Sequence, residues 1–152
     1  MKYEVIQLEE KNLVGLTART SNKDEKMNEI IGGMWQRFFT EGVYQSIPNK
    51  KNSLSIGLYS NYESNVDGAY DVSVCCEVTK CEEVPEGLEI QSIFPGKYAK
   101  FIVKGNMHTA VADFWTALWA MDLDRRYSCD FEEYQSGGDV ENCDIHMYIS
   151  IN

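Results

Sequence analysis

Residues 30 to 39 read Ile30-Ile31-Gly32-Gly33-Met34-Trp35-Gln36-Arg37-Phe38-Phe39, and the spacing of their apolar members decides the fold. Ile30, Ile31, Met34, Trp35, Phe38 and Phe39 recur at helical spacing and form one stripe along a helix. The stripe predicts a helix from about Asp24 to about Thr40, with Ser21 or Asn22 able to cap its start. Eighty positions on, the same stripe returns. Val111, Phe114, Trp115, Leu118 and Trp119 stand where Ile31, Met34, Trp35, Phe38 and Phe39 stood, and predict a helix from about Met107 to Met121.

Strand-like runs flank both helices in the same order. Tyr3–Leu8 and Leu13–Thr20 precede the first, joined at Glu9-Glu10-Lys11-Asn12; Leu54–Ser60 and Ala69–Val78 follow it, with turn residues Asn65, Asp67 and Gly68 between them. After a junction at Glu82–Gly87, Leu88–Phe94 and Tyr98–Lys104 precede the second helix, with Pro95-Gly96 at their turn. Asp130–Gln135 and Asp144–Ile151 follow it, separated by Gly137-Gly138-Asp139. Offsets of 75 and 73 pair Tyr59 with Tyr134 and Asp71 with Asp144, so the copies differ slightly in loop length. The pattern predicts one α+β domain over 1–152, with internal repeats at about 1–81 and 82–152. Two pseudo-symmetric βαββ units would form a curved, mostly antiparallel sheet with two helices packed on one face.

Composition narrows the functions open to such a domain. The 152 residues fit one core, and 43% of them are apolar. The net charge of −10 repels phosphates and anionic lipid, and the nearest approach to a basic run is Asn49-Lys50-Lys51. Direct nucleic-acid binding and a membrane partner are therefore not expected. Two readings of the charge stay open: solubility alone, or enrichment of cations near clefts. Five cysteines, an odd number without Cys-x-x-Cys, and the absence of a long apolar run suit a reduced, cytoplasmic protein. With two histidines and no Cys/His/Asp spacing, no metal site or cofactor is expected. Gly32-Gly33 precedes no phosphate-loop lysine.

Alternation sorts the strands into two faces. Ile145, Met147, Ile149 and Ile151 are expected under the helices, as are Val72, Val74, Cys76 and Val78, and also Leu54, Ile56 and Leu58. Placing Phe131 in that core puts Glu132 and Tyr134 on the other face, beside Tyr59 and Tyr148. The repeat places Gly57 at the position equivalent to Glu132, so one half supplies a carboxylate and the other supplies space. A carboxylate among aromatic rings suits a small, flat cation, through cation–π contacts and charge neutralisation. The alternative is a solvent-facing Glu132 beside ordinary surface tyrosines. Trp35, Trp115 and Trp119 lie on core-facing stripes that can also reach the pocket wall.

Four segments in order resemble the GyrI-like effector-binding superfamily, which includes ligand domains of AraC- and MerR-type regulators. They are residues 30–39, Ile56-Gly57-Leu58-Tyr59, Asp130-Phe131-Glu132-Glu133-Tyr134, and Ile145-His146-Met147-Tyr148-Ile149-Ser150-Ile151. The likeness is greatest to stand-alone integron-associated effector-binding proteins and covers essentially the whole chain. It implies two repeats around a central pocket for bulky, often cationic molecules, with Glu132 facing the ligand and Tyr148 nearby. His146 departs from the pattern, which commonly has an acid there. The resemblance also leaves open a hydrolase acting on reactive small-molecule toxins, with Glu132 as general base and a tyrosine as acid, and a gyrase-inhibitor-like role on a partner protein. No DNA-reading module is expected before Lys2 or after Asn152, so any regulatory signal would pass to a partner chain.

Overall fold

In each half of the chain a leading strand precedes a strand–helix–strand–strand unit. The computed structural model describes residues 1–64, 68–135 and 141–152, apart from the side chain of His108. The expected turn residues Asn65 and Asp67, and Gly137-Gly138-Asp139, lie outside the described residues. The first half runs β1 (Glu4–Leu8), β2 (Lys11–Ser21), α1 (Met27–Thr40), a one-turn α2 (Val43–Ser46) that the sequence did not suggest, β3 (Ser55–Ser60) and β4 (Ala69–Val78). The second runs β5 (Glu89–Ile93), β6 (Gly96–Gly105), α3 (Met107–Trp119), β7 (Arg125–Tyr134) and β8 (Cys143–Ile151).

All eight strands join one antiparallel sheet in the order β1-β6-β8-β7-β3-β4-β2-β5. The order is the same read from either end once the halves are exchanged. The expected fold class, α+β with two βαββ repeats, is the one found. The leading strands behave differently from their connections, however. β1 does not pair with β2 but crosses to β6, and β5 crosses back to β2. Gly15 permits β2 to pack closely on β4, because a Cβ there would run into the Val74 carbonyl oxygen.

Helix α1 starts later than its stripe suggested. Neither Ser21 nor Asn22 caps it; the chain turns first, with the Asp24 amide donating to the Ser21 carbonyl. Lys26 is the N-cap residue, without a side-chain cap bond, and its own amide donates to Asp24 Oδ1 at 2.8 Å. Helix α3 is better supported, since the Thr109 amide donates to Asn106 Oδ1 at 3.2 Å.

Three buried clusters hold the fold together. Beneath α1 lie Val14, Leu16, Val72, Val74, Cys76 and Val78, with Met34 and Phe38 from the helix. Beneath α3 lie Phe101, Ile145, Met147, Ile149 and Ile151, with Phe114 and Leu118. A third cluster, containing no helical residue, is built from Leu13, Ile56, Leu58, Cys75, Ile93, Tyr98, Phe131 and Tyr148, with Ile6 and Leu8 of β1 packed against it. Both faces of the central strands are thus apolar and covered. This corrects the expected facing of β3 and β7: Ile56, Leu58 and Phe131 lie away from the helices. The register is the cause. Gly57 pairs with Val74, and Glu132 with Met147, and cross-strand partners share a face.

Candidate functional site

The two repeats meet at the β3–β7 pair, where Gly57 stands directly opposite Glu132. A Cβ on residue 57 would lie 2.8 Å from Glu132 Oε1 and 2.9 Å from its Cγ. The carboxylate therefore fills the space that the glycine leaves. It does so on the helix-bearing face, between α1 and α3, and not on the opposite face.

Glu132 is only 2% exposed. Its Oε1 accepts hydrogen bonds from Tyr134 Oη at 2.9 Å and from Tyr59 Oη at 3.2 Å. Its Oε2 is buried with no hydrogen-bond partner. Among the described residues it forms no ion pair. Burial raises its pKa from the ordinary carboxylate range to about 7, against the opposing pull of hydrogen bonding from Tyr134, Tyr59 and the Trp115 indole. The same burial and the neighbouring acid hold the Tyr59 and Tyr134 hydroxyls well above their usual range.

The indoles close the site from above, each crossing to the other repeat. Trp35 of α1 meets the Tyr134 ring edge-on at 4.9 Å between centroids, and Trp115 of α3 meets Tyr59 at 5.4 Å. Outside them, one helical turn on, Phe39 stacks on Trp35 and Trp119 leans on Trp115. Phe39 and Trp119, equivalent in the repeat, are 53% and 47% exposed. Glu132, Tyr134, Tyr59, Gly57, Trp35 and Trp115 are thus brought together, with Trp119 at the margin.

Tyr148 is not brought there. It stacks on Phe131 at 4.4 Å in the cluster on the opposite face, so its expected place beside Glu132 is corrected. Burial and then the nearby Glu133 and Glu4 raise its hydroxyl to about 12. His146 pairs in register with Ile102 and Glu133, on the face opposite Glu132, so the departure noted there does not alter the charge at Glu132.

A neighbouring network escaped the sequence reading. Asp130 shares the phase of Glu132 along β7 and is completely buried, yet it is fully partnered. Arg125 Nη2 donates to Asp130 Oδ2 at 2.6 Å, the Tyr62 hydroxyl donates to the same oxygen, and the Ser150 amide donates to Oδ1 at 2.9 Å. A bulge between Arg125 and Asp130 brings the arginine back onto the acid. Alternation alone puts Asp130 on the same face as Glu132; the bulge is set by the tertiary structure.

Among the described residues no cluster of His, Cys, Asp or Glu could hold a metal ion, and no helix is long and apolar enough to cross a membrane. Comparison with known proteins agrees with this architecture. SAV2435, solved bound to tetraphenylphosphonium, shares the fold at a TM-score of 0.81 and 20% identity, over 100% of this chain and 94% of that one. An integron cassette protein from the mobile metagenome of Vibrio cholerae superimposes at a TM-score of 0.77 with 28% identity, over 99% of this chain and 95% of that one. The YobU protein of Bacillus subtilis (strain 168) is 28% identical over 97% of this chain and 96% of its own length. Residues 4–151 match the family of integron-associated effector binding proteins, and the chain belongs to that family.

Proposed function

We propose that this chain binds a small aromatic or amphipathic cation between α1 and α3, with the positive charge set against Glu132. One observation carries the reading: a fully buried carboxylate with a bare oxygen and no ion pair among the described residues, ringed by Trp35, Tyr59, Trp115 and Tyr134. An uncompensated buried charge is costly, and a cation arriving with its own apolar rings would relieve that cost. Each ring would add on the order of 0.5–2 kcal/mol through cation–π contact. Tetraphenylphosphonium, the ligand of SAV2435, is such a cation. The half-exposed Phe39 and Trp119 would meet the ligand first, and the closed indoles would have to part to admit it.

A second reading rests on the near-neutral pKa of Glu132, which suits a general base in hydrolysis of a small molecule. The raised tyrosine hydroxyls speak against their serving as the acid. Binding is therefore the better-supported function. Titration with tetraphenylphosphonium at pH 8, followed by tryptophan fluorescence, tests it against neutral triphenylphosphine oxide. The cation should quench and bind about tenfold tighter or more, as a desolvated charge pair implies. Equal affinities would sink the cationic reading.

A further inference from the structure

We infer that the site is built to take one positive charge and no more, and that Arg125 sets this count by occupying Asp130. The inference rests on the reading that Glu132 receives a cation, and adds which cations it accepts. Two buried acids lie on the same face of β7, two residues and roughly 7 Å of strand apart. They differ in one respect. Asp130 has its counter-ion built in: the Arg125 side chain is 7% exposed, lies 2.6 Å from the carboxylate and rests on the Tyr127 ring at 4.3 Å. Tyr62 and Ser150 fill the remaining acceptor positions of Asp130. Glu132 has only neutral donors, the Tyr59 and Tyr134 hydroxyls and the Trp115 indole, and no cation beside it among the described residues.

The charge balance of the buried site follows from this difference. Arg125 and Asp130 cancel, leaving a single negative charge for the ligand to neutralise. A monocation completes the balance. A compact dication would bury one charge in excess beside an arginine already in place, in surroundings where an unpaired charge is expensive. Freeing Asp130 from Arg125 would provide a second acid within reach of a dication.

The test compares diquat, a compact bipyridinium dication, with an N-methyl phenylpyridinium of the same ring size, and with neutral phenylpyridine, all by calorimetry at pH 8. The monocation should bind the unaltered protein about tenfold tighter than diquat or more, a margin set by one uncompensated buried charge. Equal or tighter diquat binding, with the monocation still preferred over phenylpyridine, overturns the charge count alone. Loss of preference over phenylpyridine overturns the cationic site itself. Arg125→Gln should bring diquat to at least the affinity of the monocation, whereas the double change Arg125→Gln with Asp130→Asn, which removes both charges, should restore the original order. A folded Arg125→Gln protein that keeps the original ratio overturns the role given to Arg125. Should either variant fail to fold, the comparison in the unaltered protein still decides the charge count, and the milder Arg125→Lys, which keeps the cation, should preserve the preference for the monocation.

Discussion

Replacing Glu132 by glutamine separates the two consequences of burying that acid. In the unfolded chain the carboxyl loses its proton near the ordinary value of 4.5, whereas in the fold it keeps it to about 7. Between those values the folded state binds more protons, so stability falls as pH rises through the window and stays reduced above it. The shift corresponds to about 3 kcal/mol at full ionisation. Thermal melts of Glu132→Gln should therefore match the unaltered protein near pH 4.5 and exceed it at pH 8. Cation affinity at pH 8 should move the other way, weakening by about 2–4 kcal/mol. In the unaltered protein that affinity should fall as pH drops below about 7, because the proton competes for the same carboxylate. Glu133→Gln is the control, since Glu133 faces the other side of β7; calorimetry should show cation binding unchanged. Gly57→Ala attacks the same contact from the opposite strand. Its methyl would displace the Glu132 side chain, so binding should weaken while stability falls by about 1–3 kcal/mol.

At the scale of elements, the two helices that roof the site are unequal. Helix α1 carries Gly32 and Gly33 in its interior and has no side-chain N-cap bond, whereas in the first turn of α3 the Thr109 amide donates to the Asn106 side chain. Each interior glycine costs roughly 0.8–1 kcal/mol relative to alanine. Neither would bring a Cβ within 4 Å of another group. The double change Gly32→Ala, Gly33→Ala should therefore stabilise the protein by about 1.5–2 kcal/mol in denaturant melts. Trp35 and Trp115 close over Glu132, so on the proposed reading a ligand enters as the indoles part, and α1 is the weaker of the two helices that carry them. Stopped-flow fluorescence should show slower association with tetraphenylphosphonium in the double variant. An unchanged association rate would mean that α1 is not the gate.

Over the whole molecule, the exchange of leading strands ties the repeats together. β1 is held by β6 and β5 by β2, so neither half possesses its complete sheet alone. The aromatic contacts cross in the same way, Trp35 to Tyr134 and Trp115 to Tyr59. Unfolding should accordingly be a single transition. A Trp35→Phe protein, with indoles only in the second half, and a Trp115→Phe, Trp119→Phe protein, with its indole only in the first, should give coincident denaturant midpoints after correction for the stability lost. Two separated transitions would show that the repeats are independent folding units.

The two long helices, the strand runs, the duplication and the equivalence of Gly57 to Glu132 were legible in the sequence, because periodicity and repetition are local properties; the pairing of Gly57 against Glu132 was not. Nor was the phase of β3 and β7. Ile56, Leu58 and Phe131 are as apolar as Val74 and Met147, and since both sheet faces are buried, alternation alone could not say which face carries the helices. Pairing register decided that, and it sent Tyr148 away from Glu132 while bringing the indoles to it. Whether a buried acid is neutralised was likewise a tertiary matter. Asp130 and Glu132 look alike in the sequence, two residues apart in one strand; the bulge that returns Arg125 to Asp130 gives one of them a counter-ion, while Glu132 has none among the described residues.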